Sequence, residues 1–113
     1  MAAALLVFVG GGLGALLRYL LGLIAPGPLT TLAINVVGCF LIGLLVLMPA
    51  GNMRLFLAVG LLGGFTTFSA FSLETFLMIE RGEIGLAGSY IAASVIGAIA
   101  FLYLGLAATR AAA

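Results

Sequence analysis

Apolar residues run almost unbroken along this chain, and what interrupts them is punctuation rather than a repeating polar face. The charge-free runs are 1–17, 19–53, 55–73 and 84–109. A bilayer core takes roughly 20 apolar residues as helix, so the pattern predicts four membrane-crossing helices. Pro and Gly mark their ends. Span 1 covers about 2–25 and stops at Pro26-Gly27-Pro28, and span 2 covers about 30–48 and stops at Pro49-Ala50-Gly51-Asn52. Span 3 covers about 54–79 and stops at Glu80-Arg81-Gly82-Glu83, and span 4 covers about 84–108. The loops are a few residues long, so consecutive helices are expected to be antiparallel neighbours. The expected organisation is one four-span membrane domain over 1–113.

Composition sharpens this to a class. With 65% hydrophobic residues, 6% charged and no Lys, the chain cannot solvate a surface in water, so the lipid bilayer is its expected solvent. Four spans leave no room for a soluble catalytic domain, and an enzyme is not expected. The net charge of +1 argues against nucleic acid as a partner. The absence of His excludes a His-based proton relay or metal site. Cys39 is single, so no intrachain disulfide forms. The N-terminus resembles a signal peptide but lacks a basic n-region, and its apolar run continues to Arg18; it reads as the first span. Gly10 with Gly14, and Gly60 with Gly64, have the small-xxx-small spacing that lets backbones approach in lipid.

The few charges bear on orientation. Arg54 and Arg110 fall on the N-terminal side of the membrane, while Arg18 and Arg81 fall towards the other. Lys/Arg bias across short loops sets orientation, and two against two gives none. The expectation is dual insertion, with opposed copies pairing as an antiparallel homodimer about a two-fold axis in the membrane plane. If Arg18 lies too deep to count, a weak bias remains.

Polar groups inside apolar spans are costly unless satisfied, and they are the functional candidates. Span 3 reads Gly60-Leu-Leu-Gly63-Gly64-Phe65-Thr66-Thr67-Phe68-Ser69-Ala70-Phe71-Ser72-Leu73-Glu74. Gly63-Gly64 weakens the helix, and the Thr66 and Thr67 hydroxyls compete for freed backbone groups. The midpoint of 54–79 falls between Thr66 and Thr67, so a break is expected at the bilayer centre, where irregular backbone survives only inside protein or beside a cavity. Freed carbonyls from two opposed breaks would suit a hard cation; a kink without an ion is the plainer alternative.

Phe68 and Phe71 are i, i+3 neighbours whose positive ring edges can contact an anion, or they form an ordinary packing stripe. Thr67, Ser69 and Ser72 interleave with them. Asn35, one turn after Thr31, supplies two amide donors or an interhelical lock. Tyr90 and Ser94 repeat the i, i+4 spacing in span 4, and the row ends at Ala98. Neutral donors suit a small, strongly hydrated anion that must enter and also leave. Arg18 would attract that anion or snorkel to the interface. Glu74 reads as a coupling carboxylate or a vestibule charge.

At this point the residues resemble a known family, the Fluc (CrcB) fluoride channels. The matching segments are Gly11-Gly12-Leu-Gly14-Ala15-Leu-Leu-Arg18-Tyr19, then Thr31-Leu-Ala-Ile-Asn35-Val-Val-Gly38-Cys-Phe40-Leu-Ile-Gly43, the span 3 block from Gly63 to Glu74, and Tyr90-Ile-Ala-Ala-Ser94. The span 3 block is the specific one. The resemblance implies an all-α membrane protein with four transmembrane helices, the third broken at mid-membrane, forming an antiparallel dual-topology homodimer with two pores. It implies passive fluoride export across the inner or plasma membrane, relieving fluoride toxicity. It implies a structural sodium ion at the dimer axis, held by backbone carbonyls that here are those of Gly63 and Thr66. Phe68 and Phe71 match the aromatic box, Asn35 the pore amide, Thr31, Ser69, Ser72, Tyr90 and Ser94 the polar track, and Arg18 the basic residue of span 1. Three positions depart from the family: Ala70 where Thr is common, Thr30 where Gly often precedes the span 2 Thr, and Ala98 where some members continue the hydroxyl row. They put the length of the polar track in question more than the function.

Two other classes compete. A proton-coupled exporter of the small multidrug resistance type has similar length and span number but needs a carboxylate deep in span 1. That span is Gly-rich and carries no acid, which leaves only Glu74 in span 3. A non-transporting helper subunit would account for the glycines but not for hydroxyls, an amide and Phe rings gathered around a central break.

Overall fold

The computed structural model describes residues 1–112, all of whose regular structure is helical. Helix α1 is Ala2–Ile24 and α2 is Pro28–Leu45. The third span divides into α3, residues 52–65, and α4, Phe68–Glu80; α5 is Ile84–Ala112. Taken whole, four helical stretches are long and apolar enough to cross a membrane. Only 11–17% of each stretch's most apolar window is buried within the chain. The apolar surface therefore faces outward, which is tenable in lipid or against another protein but not in water.

The helix ends follow the punctuation. Pro26 disfavours helix at Ala25, Gly27 turns the chain at φ 124°, and Pro28 opens α2, where its missing N–H costs nothing. At the far end of α4, Gly82 adopts φ 79°. There the Gly82 N–H donates to the Ile79 carbonyl at 3.0 Å and the Glu83 N–H to the Met78 carbonyl at 2.9 Å, the paired bonds of a Schellman cap. Helix α2 ends at Leu45, short of the Met48 expected from sequence. Pro49 keeps Met48 out of the helical region, and the chain leaves through turns closed by Val46 N–H to Gly43 and Met48 N–H to Leu45. Helix α5 runs past Ala108 to Ala112, since no breaker stands in the Ala-rich tail.

Two expectations need correction. Consecutive spans are not the principal neighbours: α1 packs mainly on α3, and α2 mainly on α5. Glycine causes this pairing. A Cβ on Gly10 would lie 2.9 Å from Leu61 N and 3.1 Å from the Gly60 Cα, and one on Gly64 would lie 2.9 Å from the Gly11 Cα. The Gly10/Gly14 and Gly60/Gly64 spacings thus face one another across a single seam. A second seam joins α2 to α5, where a Cβ on Gly105 would lie 3.1 Å from the Gly43 Cα. The second correction concerns α3, which is π-helical over Leu55–Leu62; nothing in that apolar run signals it.

The third span crosses between the two pairs. Its first half lies on α1, and its second half lies on α5 and α2. Two small cores result: Ile34, Leu62 and Phe65 on one side of the crossing, and Phe71, Met78, Ala87 and Tyr90 on the other.

Candidate functional site: the break in the third span

The interruption lies at Thr66 and Thr67, both extended, with ψ 155° and 115°. Gly63 and Gly64 remain helical within Gly63–Phe65, so the glycine pair does not itself break the span. Gly64 instead packs closely on α1, where a Cβ on it would lie 2.9 Å from the Gly11 Cα, while Gly63 stays exposed.

What holds the chain open is a set of side chains that take over backbone bonds. In a continuous helix the Thr67 N–H would donate to the Gly63 carbonyl. Here it donates to Asn35 Oδ1 at 2.7 Å, and Asn35 Nδ2 donates back to the Thr67 carbonyl at 3.0 Å. The Ala70 N–H would donate to the Thr66 carbonyl; it donates instead to Thr67 Oγ1 at 3.1 Å, making Thr67 the N-cap of α4. Arg18 Nε donates to the Gly64 carbonyl at 3.3 Å. Arg18 is therefore turned towards the break rather than snorkelling to the interface. The carbonyls of Gly63 and Thr66 have lost their helical donors to named groups, which leaves acceptor capacity at the centre of the span.

Two cavities meet at this point. One, about 310 Å³, is lined by Asn35, Thr66, Thr67, Phe68, Phe71 and Ser94, together with Cys39 and the apolar Val95, Ala98 and Ile99. The other, about 370 Å³, is lined among others by Arg18, Thr31, Thr67 and Glu74. Thr67 belongs to both walls. The first cavity is uncharged, while the second carries one guanidinium and one carboxylate.

Most of the residues singled out in the sequence come together here. The Phe68 and Phe71 rings lie 5.4 Å apart at 54°, and Phe71 and Tyr90 lie 5.3 Å apart at 46°, so a continuous tilted aromatic row backs the first cavity. Phe71 is buried but Phe68 is 76% exposed, so half of the aromatic pair faces out of the single chain. Tyr90 Oη donates to Glu74 Oε1 at 2.9 Å, giving that carboxylate a definite partner. The Ser94 hydroxyl is buried and, among the described residues, has no hydrogen-bond partner.

Ser69 and Ser72 do not enter either cavity. Both are exposed on the same outward side as Phe68; Ser69 Oγ lies 3.3 Å from Thr67 Oγ1, and Ser72 Oγ donates to the Phe68 carbonyl at 2.9 Å. Sequence reasoning undervalued Thr67, which carries three of the hydrogen bonds that shape the break. Its adjacency to Thr66 was the available signal. Gly38 was also passed over: a Cβ there would collide with the Thr66 side chain, so its lack of one lets the break sit against α2.

Residues 5–106 match the family described as CrcB-like protein, Camphor Resistance (CrcB). The chain belongs to the CrcB family. It is 49% identical over 123 aligned positions to a protein of Novosphingobium aromaticivorans, covering 97% of this chain and 98% of that one. It is 50% identical to a protein of Agrobacterium fabrum, over 93% of this chain and 94% of that one. It is 47% identical to one of Rhodospirillum centenum, over 97% of each. All three carry the name fluoride-specific ion channel FluC. The family match spans α1 through most of α5, so it includes every residue lining the two cavities.

Proposed function

We propose that this chain is a fluoride-selective channel that lets fluoride leave the cytoplasm passively across the inner membrane. The observation that carries the reading is the uncharged cavity at the break, where amide, hydroxyl and ring edges converge without a cation to trap the anion. Its near-full-length likeness to proteins named fluoride-specific ion channels supplies the choice of anion. Fluoride is the most strongly hydrated halide, and a row of neutral donors replaces its water without holding it too tightly.

In this reading Phe68 and Phe71 present ring edges along the route. Asn35 uses one amide N–H on Thr67 and keeps its second for the ion. The unpartnered Ser94 hydroxyl is a donor waiting for a guest. Thr31 and Tyr90 continue the polar route towards Glu74, and Arg18 draws anions to the second cavity. Ser69 and Ser72, outside both cavities in the single chain, join the route where a second copy covers the outward face.

That face supports pairing. Ser hydroxyls, a Phe ring and the exposed Gly63 stand together where a single chain would offer them to lipid. A second copy inserted in the opposite sense covers them and brings two breaks together. The balance of Arg18 and Arg81 against Arg54 and Arg110 allows that insertion. The fit for a sodium ion at the axis is favourable: the Gly63 and Thr66 carbonyls are deprived of their helical donors, and a hard univalent cation takes such oxygens. When bound, the ion supplies a fixed positive charge that ties the two chains.

Liposomes containing this chain alone test the reading. Fluoride should drain rapidly on dissipation of the potential while chloride stays; vesicles that retain both would reject it.

A further inference from the structure

We propose that Cys39 is a modification site in the wall of the uncharged cavity, open to small neutral thiol-directed electrophiles, and that its modification closes the passage. The inference rests on the fluoride-pore reading and goes beyond it. Cys39 stands one turn after Asn35 on α2, so the two share a helix face. It lines the cavity of about 310 Å³ with Asn35, Thr66, Phe71 and Ser94, and its thiol is free and half-buried.

A lone thiol would not make a site. The second observation is Ser94, a residue only 6% exposed that lines the same cavity and whose buried hydroxyl has, among the described residues, no hydrogen-bond partner. A buried hydroxyl with no protein partner is satisfied by a water or another small polar species that reaches it. Cys39 therefore borders space that solutes enter, rather than closed core. Val95, Ala98 and Ile99 make the apolar side of that wall, and no residue lining it brings a charge.

The chemistry is a thiol exchange. The Cys39 thiol gives its proton to water, and the thiolate sulfur attacks the sulfenyl sulfur of a methylthiosulfonate. A new S–S bond forms, the S–S bond of the reagent breaks, and methanesulfinate leaves with the electron pair. The added methylthio group stands one turn from the Asn35 amide. It narrows the cavity beside that amide and sets an apolar group where an anion needs donors.

The test uses the full chain in liposomes, with methyl methanethiosulfonate as the probe. Mass spectrometry should find one methylthio group per chain, since there is one Cys. Fluoride efflux should fall on the order of tenfold or more when an apolar group narrows a donor-lined passage, and a reductant should restore it. Cys39→Ser should conduct before and after treatment alike. Labelled chains that drain at the untreated rate would overturn the inference and leave the channel reading standing, as would a failure to label. Equal inhibition of Cys39→Ser would also overturn it. Untreated vesicles that never drain would remove both readings together.

Discussion

Asn35 and Thr67 hold each other through both ends of the Asn35 amide: Thr67 N–H to Oδ1 at 2.7 Å, and Nδ2 to the Thr67 carbonyl at 3.0 Å. The side chain acts as a section of missing helix, and it does so at the one place where the span is extended. Asn35→Asp keeps an acceptor for the Thr67 N–H but sets a second oxygen against the Thr67 carbonyl and towards a passing anion. Fluoride efflux should fall on the order of tenfold or more when a donor becomes a charged acceptor on an anion path. Asn35→Ala leaves the Thr67 N–H unpaired, at a cost of about 1–3 kcal/mol. It should lower the thermal midpoint as well. An unaltered efflux rate in Asn35→Asp would show that this amide is a lock and nothing more.

The α1–α3 seam makes a prediction about single methyl groups. Gly12 has nothing within 4 Å of a Cβ, whereas a Cβ on Gly14 would reach to 2.7 Å from Phe65 N. Gly12→Ala should be neutral or slightly stabilising, because helix propensity favours Ala by about 1 kcal/mol. Gly14→Ala must push two backbones apart, and overpacking of this kind costs about 1–3 kcal/mol or more. Thermal unfolding in detergent should separate the two variants clearly; equal midpoints would mean that the seam is not tightly closed.

Phe68 and Phe71 should respond differently although both belong to the aromatic row. Phe71 is 8% exposed and touches Tyr90; Phe68 is 76% exposed in the single chain. Phe71→Ile should lose the ring–ring contact, worth about 0.5–1.5 kcal/mol, along with fluoride efflux. Phe68→Ile should lose efflux with little change in the thermal midpoint of the chain. Full efflux in both variants would remove ring edges from the mechanism.

Dual insertion has a direct readout. A tag after Arg110 should be accessible from both sides of the membrane in comparable amounts, given the even division of Arg18 and Arg81 against Arg54 and Arg110. Adding two Lys after Ala112 should drive that end to the cytoplasmic side and reduce efflux unless a chain of opposite bias is supplied. A tag found on one side only in the unaltered chain would end the antiparallel reading.

Much of this was legible because lipid simplifies the code. Long charge-free runs, Pro26, Pro28 and Pro49, and Gly82 mark the four spans, and Gly63-Gly64 followed by Thr66-Thr67 at the centre of an apolar span points to an interruption, which survives only inside protein or beside a cavity. The Gly10/Gly14 and Gly60/Gly64 spacings named the residues of one seam, but spacing says nothing of which helices meet. The pairing of α2 with α5 through Gly43 and Gly105 appears only in three dimensions. The π-helical run Leu55–Leu62 has no signature, because an apolar stretch reads alike at either pitch. Gly63-Gly64 read as the weak point of the span, yet both stay helical: Gly64 packs against Gly11, which offsets the flexibility that glycine brings, while Gly63 stays exposed. The bonds made by Asn35 and Arg18 to the break join residues 32 and 46 positions apart, so no local pattern could reveal them.

Glu74 separates a passive pore from a proton-coupled exporter. Its carboxylate accepts the Tyr90 hydroxyl at 2.9 Å and borders the cavity that holds Arg18. In an exporter it would have to take up and release a proton each cycle, and no other carboxylate lies inside a span: Glu80 and Glu83 stand at the α4–α5 turn, with Glu83 paired to Arg81 Nε at 2.5 Å. Glu74→Gln keeps an oxygen for the Tyr90 hydroxyl and removes the charge and the exchangeable proton. A passive pore should continue to pass fluoride in this variant, within about threefold of the unaltered rate if the hydrogen bond is kept at roughly 1 kcal/mol of its worth. Acidifying one face of the vesicle should not drive fluoride uphill in either protein. Loss of all transport in Glu74→Gln, together with uphill movement powered by a pH gradient in the unaltered chain, would replace the pore by an exchanger.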